Sequence, residues 1–289
     1  MQPPIESTTQ IPYSFQEIDL EKEDVKYINV IFHSFRDTLG NGNFKDTLPD
    51  IEWLKSQIKR GNDFLSNVEK PVPLVGKHIK DAKIRMRLID IKFYNSANGA
   101  SATVNGAYSH KDLYREYVLE NDSLTEFEKK HCVHLLLSGV VPRAYGGRNI
   151  CMQPGCRDGF GFQNNVLYFE GMYQVYTKVF DIWGVGEHIM HEVGHGLGLG
   201  HYERKYGPCT SCEGTKPCPP EDCKNFMKSN NGGKQATECQ IKLMHHLLKY
   251  GPIDTNMINP NGKAHFLIKT PPEDYAGQTA LSSNLKQFK

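Results

Sequence analysis

The sequence predicts a fold that mixes strands and helices, on three observations. Four apolar segments, residues 27–35, 84–93, 132–141 and 165–173, have the length and composition of strands. Two others, starting near Ile51 and Ile241, repeat their apolar residues at helical spacing. Between strand and last helix, residues 188–201 hold histidines and glycines in a pattern that requires a helix followed by a sharp turn.

Residues 1–24 are polar and without periodicity, and are expected to form a leader or linker. The first strand, residues 27–35, is β-branched and aromatic. Residues 37–45 (DTLGNGNFK) form a turn-rich loop. Ile51, Leu54, Ile58 and Leu65 then mark a helix, with Pro49 acceptable in its first turn. Along residues 84–93 the apolar residues change phase between Leu88 and Ile89, which calls for burial of both faces or for a bulge. Residues 132–141 (CVHLLLSGVV) have buried-strand length, residues 142–162 are glycine-rich and expected to be irregular, and residues 165–173 give the fourth strand. The last helix opens on a capping box, Thr237-Glu-Cys-Gln240, and carries Ile241, Met244 and Leu248 on its buried side. Gly251-Pro252 stops it, and residues 253–289 are expected to be a tail.

At 289 residues the chain can bury a full core as one large or two modest domains. Its 34 basic and 33 acidic side chains nearly cancel without forming a like-charged block, so no nucleic-acid partner is indicated. No apolar run approaches the roughly 20 residues needed to cross a bilayer. Residues 1–10 show no signal-peptide core, although a trimmed chain would look the same. Eight cysteines, with Cys209, Cys212, Cys218, Cys223 and Cys239 close together, fit an oxidising compartment, so a secreted or cell-surface location is expected. The sequence does not fix the oligomeric state.

The chemistry lies in His188-Ile-Met-His-Glu-Val-Gly-His-Gly-Leu-Gly-Leu-Gly-His201. His191 and His195, four apart, share a helix face and can reach one Zn²⁺ at about 2.0–2.1 Å. Gly198 supplies the turn that brings His201 in as a third ligand. Three neutral imidazoles leave the metal its full charge and one position for water, whose pKa falls to about 7. Glu192 is then placed to act as general base. The five fixed positions of HExxHxxGxxH should arise by chance in roughly one chain of this length per ten thousand. A coincidental surface helix is therefore not competitive. His188, one turn earlier, is expected to be structural or to support a ligand.

The string HEVGHGLGLGH resembles the metzincin clan of zinc metalloendopeptidases. The resemblance covers about residues 188–248 and, through residues 223–245, is similar to bacterial secreted members near the pappalysin group. It implies an α+β architecture: a twisted mixed sheet with a backing helix and an active-site helix above a cleft, in residues 25–198. A smaller C-terminal subdomain, residues 199–252, would hold the third ligand, a methionine turn and the terminal helix. Met227 fits the methionine turn better than Met244, which sits inside the capped helix. The implied activity is peptide hydrolysis on a protein or peptide substrate, with an extended substrate pairing along residues 165–173. A metal-binding surface or adhesion protein without activity is the alternative, and the presence of Glu192 argues against it. Tyr202 after the third histidine leaves the subfamily open, and no tyrosine stands two positions after Met227.

Weaker signals remain. The loop 37–46 faintly matches a calcium site but lacks the spacing and terminal Glu of an EF-hand, so an ordinary turn is expected with calcium as the alternative. Tyr173, Tyr176 and Tyr202 fit packing roles or a cleft wall. Cys132, in an apolar run, is expected to be an inert thiol. Cys209, Cys212, Cys218 and Cys223 (C-x₂-C-x₅-C-x₄-C) allow a second zinc or disulfides. Disulfides are favoured, with Cys223–Cys239 the leading pair.

Overall fold

The computed structural model describes residues 18–42, 44–72, 76–102, 108–138, 146–149, 166–170, 185–197, 199–202, 224–228 and 233–250. Gly198, Tyr173, Tyr176, Cys209, Cys212, Cys218, Cys223, the beginning of the expected leader and the whole expected tail lie outside these residues. So does the side chain of His188.

The described strands are β1 (Lys26–Arg36), β2 (Ile84–Asn95), β3 (Val133–Ser138), β4 (Gly146–Asn149) and β5 (Val166–Glu170). They form one sheet in the order β2-β1-β3-β5-β4. The first four strands in that order run parallel, and β4 closes one edge antiparallel to β5. Parallel strands must be buried on both faces, which explains why β1 is enclosed from Ile28 to Phe35 and why β3 (VHLLLS) is buried throughout. The phase change in β2 is a bulge. Val30 pairs with Leu88 and Ile31 with Asp90, so Ile89 is the extra residue and the apolar pattern resets after it.

Two expectations are corrected here. Residues 146–149 (GGRN), inside the stretch expected to be irregular, are a strand. A four-residue edge strand without β-branched residues has no composition signal. Consequently β5 is paired on both sides, to β3 and to β4. Its backbone is already used within the sheet, so residues 166–170 do not offer a free edge to a substrate. The edge position belongs to β4.

Helix α1 (Leu48–Ser66) starts after Thr47 with Pro49 in its first turn, and buries Leu54, Ile58, Phe64 and Leu65 against the sheet. Short helices α2 (Ala97–Ser101), α3 (His110–Tyr114) and α4 (Glu126–His131) cover the other face, α3 running on into a π-helical turn, Arg115–Leu119. The main core joins Val30 and Phe32 of β1, Val133, Leu135 and Leu137 of β3, the buried side of α1, and two further helices, α5 (Val185–Gly196) and α6 (Glu238–Tyr250). Ile18 and Leu20, within the stretch expected to be a leader or linker, also belong to this core.

The last helix follows its sequence signals. Gln240 N–H donates to Thr237 Oγ1 at 3.2 Å, Thr237 N–H donates to Gln240 Oε1 at 2.9 Å, and Ile241, Met244 and Leu248 are buried. The chain after α1 is tied to the approach to this helix. Glu69 N–H donates to the Lys234 carbonyl at 2.8 Å, and Lys77 N–H to the Glu238 carboxylate at 2.6 Å. No helix among the described residues is long and apolar enough to cross a membrane.

Candidate metal centre

Two close approaches set the position of α5. A Cβ on Gly186 would come within 2.6 Å of the Gln57 carbonyl oxygen, and one on Gly61 would collide with Met86 Cε and approach Met190 Cγ. The two glycines let α1 and α5 touch nearly backbone to backbone, so the backing helix fixes the other without an intervening layer. Arg60 and Glu187 add an ion pair at 3.5 Å across the same crossing. Ile189, Met190 and Val193 fill the core side of α5. On a 3.6-residue period that leaves His191 and His195 together on another side.

After Gly196 the helix closes: Leu197 N–H donates to the Val193 carbonyl at 2.8 Å, and Leu199 N–H reaches back to the Gly194 carbonyl at 2.9 Å. The chain reverses over these residues, and His201 arrives beside the helix. Its ring centroid lies 5.2 Å from that of His191 and 4.7 Å from that of His195, while the rings of His191 and His195 are 4.7 Å apart. One nitrogen from each of the three lies within 4.8 Å of the other two. Among the described residues this is the single cluster of histidine, cysteine and carboxylate groups with metal-holding geometry.

Whether these residues suit a metal depends on which nitrogen carries the proton. His191 Nδ1 lies 2.7 Å from the Phe226 carbonyl and His195 Nδ1 lies 2.8 Å from the Leu199 carbonyl. A carbonyl oxygen can only accept, so in both rings Nδ1 is the protonated donor. In the neutral ring Nε2 then keeps its lone pair. That is the tautomer a zinc ligand needs, with its second nitrogen held as metal-binding histidines usually hold it. The donor set fits the metal. Glu192, beside the first histidine, is 5% exposed.

Below the helix, Lys228 N–H donates to the Asn225 carbonyl at 3.1 Å and closes a turn with Phe226 and Met227 at its centre. Met227 is fully buried, and a side chain at Gly194 would collide with its sulfur. The glycine inside HEVGH is thus what lets the turn sit directly against α5. Tyr202 N–H donates to the Met227 carbonyl at 2.9 Å, joining the turn to the residue after His201.

The structure therefore brings together the rings of His191, His195 and His201 and sets the Met227 turn against the helix that carries the first two, with Glu192 following His191 on that helix. Sequence reading missed the Phe226 and Leu199 carbonyls, since a backbone acceptor leaves no mark on residue type. It also missed Asn225 and read Gln240 only as a cap. The loop after β1 closes on itself: Asp37 Oδ1 accepts from Leu39 and Asn41 N–H, both at 2.8 Å, with Gly40 at φ +81°. Cys239 is disulfide-bonded. Cys132 is a buried thiol outside any disulfide.

Residues 69–202 match the reprolysin-like metallopeptidases of family M12B. That stretch holds β2 to β5 and all three histidines. No curated protein matches by sequence. Among solved structures, a promirolysin variant from Tannerella forsythia is similar in fold, with a TM-score of 0.50 and 16% identity over 78% of this chain and 81% of that one. Over residues 69–202 the chain is thus similar to metallopeptidases, and its α+β fold with a largely parallel sheet is similar to that of promirolysin.

Proposed function

We propose that the protein is a zinc-dependent endopeptidase in which His191, His195 and His201 hold the metal and Glu192 is the general base. The observation that carries this reading is the convergence of three imidazoles, two of them pinned at Nδ1 by backbone carbonyls. When bound, zinc supplies a Lewis acid for the scissile carbonyl and acidifies a neighbouring water.

The chain's own residues do the rest. Glu192 takes a proton from that water as it attacks the peptide carbonyl, then delivers it to the leaving amine nitrogen, so the group serves in turn as base and acid. The Phe226 and Leu199 carbonyls keep the rings of His191 and His195 from rotating as charge develops. Met227, as the methionine turn, forms the floor beneath α5. An extended substrate would pair with β4, the antiparallel edge of the sheet, which lies next to α5. Residues 25–198 and 199–252 would be the two subdomains flanking the cleft. The proposal extends to secretion, on the cysteine content, and to a pappalysin-like placement within the clan, on the resemblance carried by residues 223–245. A Cys223–Cys239 disulfide would close across the methionine turn and help hold Met227 in place.

Glu192→Ala tests the assignment. It should retain about one zinc per chain and lose roughly 10²–10⁴-fold in peptide hydrolysis, the usual worth of a positioned base. Chelation of the unaltered enzyme should abolish hydrolysis, and added zinc should restore it. Wild-type turnover by the variant would sink the mechanism, and a metal-loaded, structurally intact enzyme that cleaves no peptide library would favour a binding protein of the same fold.

A further inference from the structure

The turn beneath α5 is held from behind by a pair of side-chain amides. Asn225 Oδ1 accepts from Met227 N–H at 2.9 Å and from Gln240 Nε2 at 3.1 Å, and Asn225 Nδ2 donates to Gln240 Oε1 at 2.9 Å. Gln240 Oε1 also accepts from Thr237 N–H at 2.9 Å. The two backbone N–H groups, at Met227 and Thr237, fix which end of each amide is oxygen, so the reciprocal pairing has one orientation only. Asn225 is 2% exposed and Gln240 fully buried. In that setting each broken bond strands a polar group away from water.

An ordinary capping box needs no such partner. Here the Gln240 side chain serves two structures at once: the free end of α6 and the turn that presents the Phe226 carbonyl to His191 Nδ1 at 2.7 Å. The same turn receives Tyr202 N–H, next to His201. From Gln240 to the first histidine the path is therefore a continuous set of hydrogen bonds and one turn of backbone.

We propose that Asn225 and Gln240 are positioning residues for the metal centre, an amide clamp that fixes the Phe226 carbonyl and through it the orientation and basicity of His191. The inference rests on the zinc reading above. Loosening the clamp would let the carbonyl drift and the ring turn, with a loss in zinc affinity of the size seen when partners of metal-bound histidines are removed, about tenfold or more.

The test measures zinc affinity of the full chain by competition with a chelator, and reads ligand geometry from the visible absorption of the cobalt(II)-substituted protein. Gln240→Ala and Asn225→Ala should each bind zinc about tenfold more weakly and shift the cobalt bands. Their losses should not add in the double variant, since each removes the same pair. Thr237→Ala is the control for helix capping. It removes only the hydroxyl bond to Gln240 N–H, so it should melt at a lower temperature yet hold zinc as the unaltered chain does. Gln240→Glu keeps the acceptor for Thr237 N–H but removes the donor to Asn225. It should lose zinc affinity a few-fold, and it carries the test if the alanine variants do not fold. Unchanged zinc affinity and cobalt spectrum in the Gln240 variants would overturn the clamp while leaving the metal assignment standing. Failure of the unaltered chain to bind zinc would overturn both.

Discussion

The two faces of the sheet both carry histidines, and the contrast between them shows what turns an imidazole into a ligand. On the face covered by α1 and α5, His191 and His195 give Nδ1 to carbonyls, which leaves the lone pair on Nε2, and one nitrogen of each lies within 4.8 Å of one of His201. On the opposite face, His33 of β1 and His134 of β3 spend their nitrogens on each other and on neighbours. His134 Nε2 lies 3.1 Å from the Glu128 carbonyl, His134 Nδ1 is 2.9 Å from His33 Nε2, and His33 Nδ1 is 3.1 Å from the Tyr94 hydroxyl. Because the Glu128 carbonyl accepts only, each proton in the row is fixed: His134 donates to it, His33 donates to His134, and Tyr94 donates to His33. One face aims its lone pairs at a shared point, and the other consumes them in a closed chain. Both histidines of that chain are fully buried, while two of the three in the cluster are half-exposed.

The largest test of this contrast exchanges loss for loss. His195→Ala should abolish tight zinc binding and peptide hydrolysis, read as zinc per chain and turnover, with the fold retained. His134→Ala should do the reverse. It leaves the Glu128 carbonyl and the His33 Nε2–H without their partner and opens a cavity, at a cost of about 2–4 kcal/mol in urea unfolding, while zinc stoichiometry stays at wild type. If His134→Ala lost zinc as fully as His195→Ala, the division between the two faces would fail.

The same contrast explains how far the sequence could be read. The HExxHxxGxxH ligands are legible because their spacing is local, set by a helix turn and one reversal. His33 and His134 lie 101 residues apart, and nothing near either marks a partner. The bulge at Ile89 was legible as a break in alternation, and α6 through its capping box and stripe, since both are rules about neighbours in sequence. The edge strand β4 was not, because GGRN becomes a strand only through the β5 backbone beside it. Gln240 was legible as a cap, yet its bond to Asn225 depends on how the turn packs.

A smaller effect follows from pH. Burial lowers the pKa of His134 to about 4, against its hydrogen bond to the Glu128 carbonyl, which pushes the other way. Burial also holds His33 well below its usual value, with the nearby His134 and Lys92 adding to the effect. The unfolded chain therefore binds protons at about pH 6.5 that the folded chain refuses until lower pH. Stability from these groups is complete above about pH 6.5 and is lost as pH falls towards 4, so stability rises with pH across that window. Unfolding midpoints measured from pH 7 to 4.5 should fall, and His134→Phe should flatten the slope over that range. An unchanged slope in that variant would show that other groups, among them His245, whose burial also lowers its pKa, govern the acid limb.

The smallest effect concerns Cys132, at the end of the same face. It is fully buried beside Ile31 and Ile89, immediately before β3. Burial pushes its thiol well above the usual range, the Glu128 carboxylate raises it further, and Lys92 pulls only weakly in the other direction. A reactive cysteine needs an exposed, electropositive setting in which thiolate is populated, and this site supplies neither feature. The face that closes off its histidines closes off its thiol by the same means, through burial. Native protein treated with iodoacetamide at pH 8 should therefore show no adduct on the Cys132 peptide, and full labelling only after denaturation and reduction. Cys132→Ala should leave zinc content and turnover unchanged and shift stability by about 1 kcal/mol, the scale of a small group removed from a packed core. Rapid labelling in the native state would mean that this side of the sheet opens to solvent. The closed hydrogen-bonded row from Glu128 to Tyr94 could not then persist as drawn, and the contrast between the two faces would be one of degree.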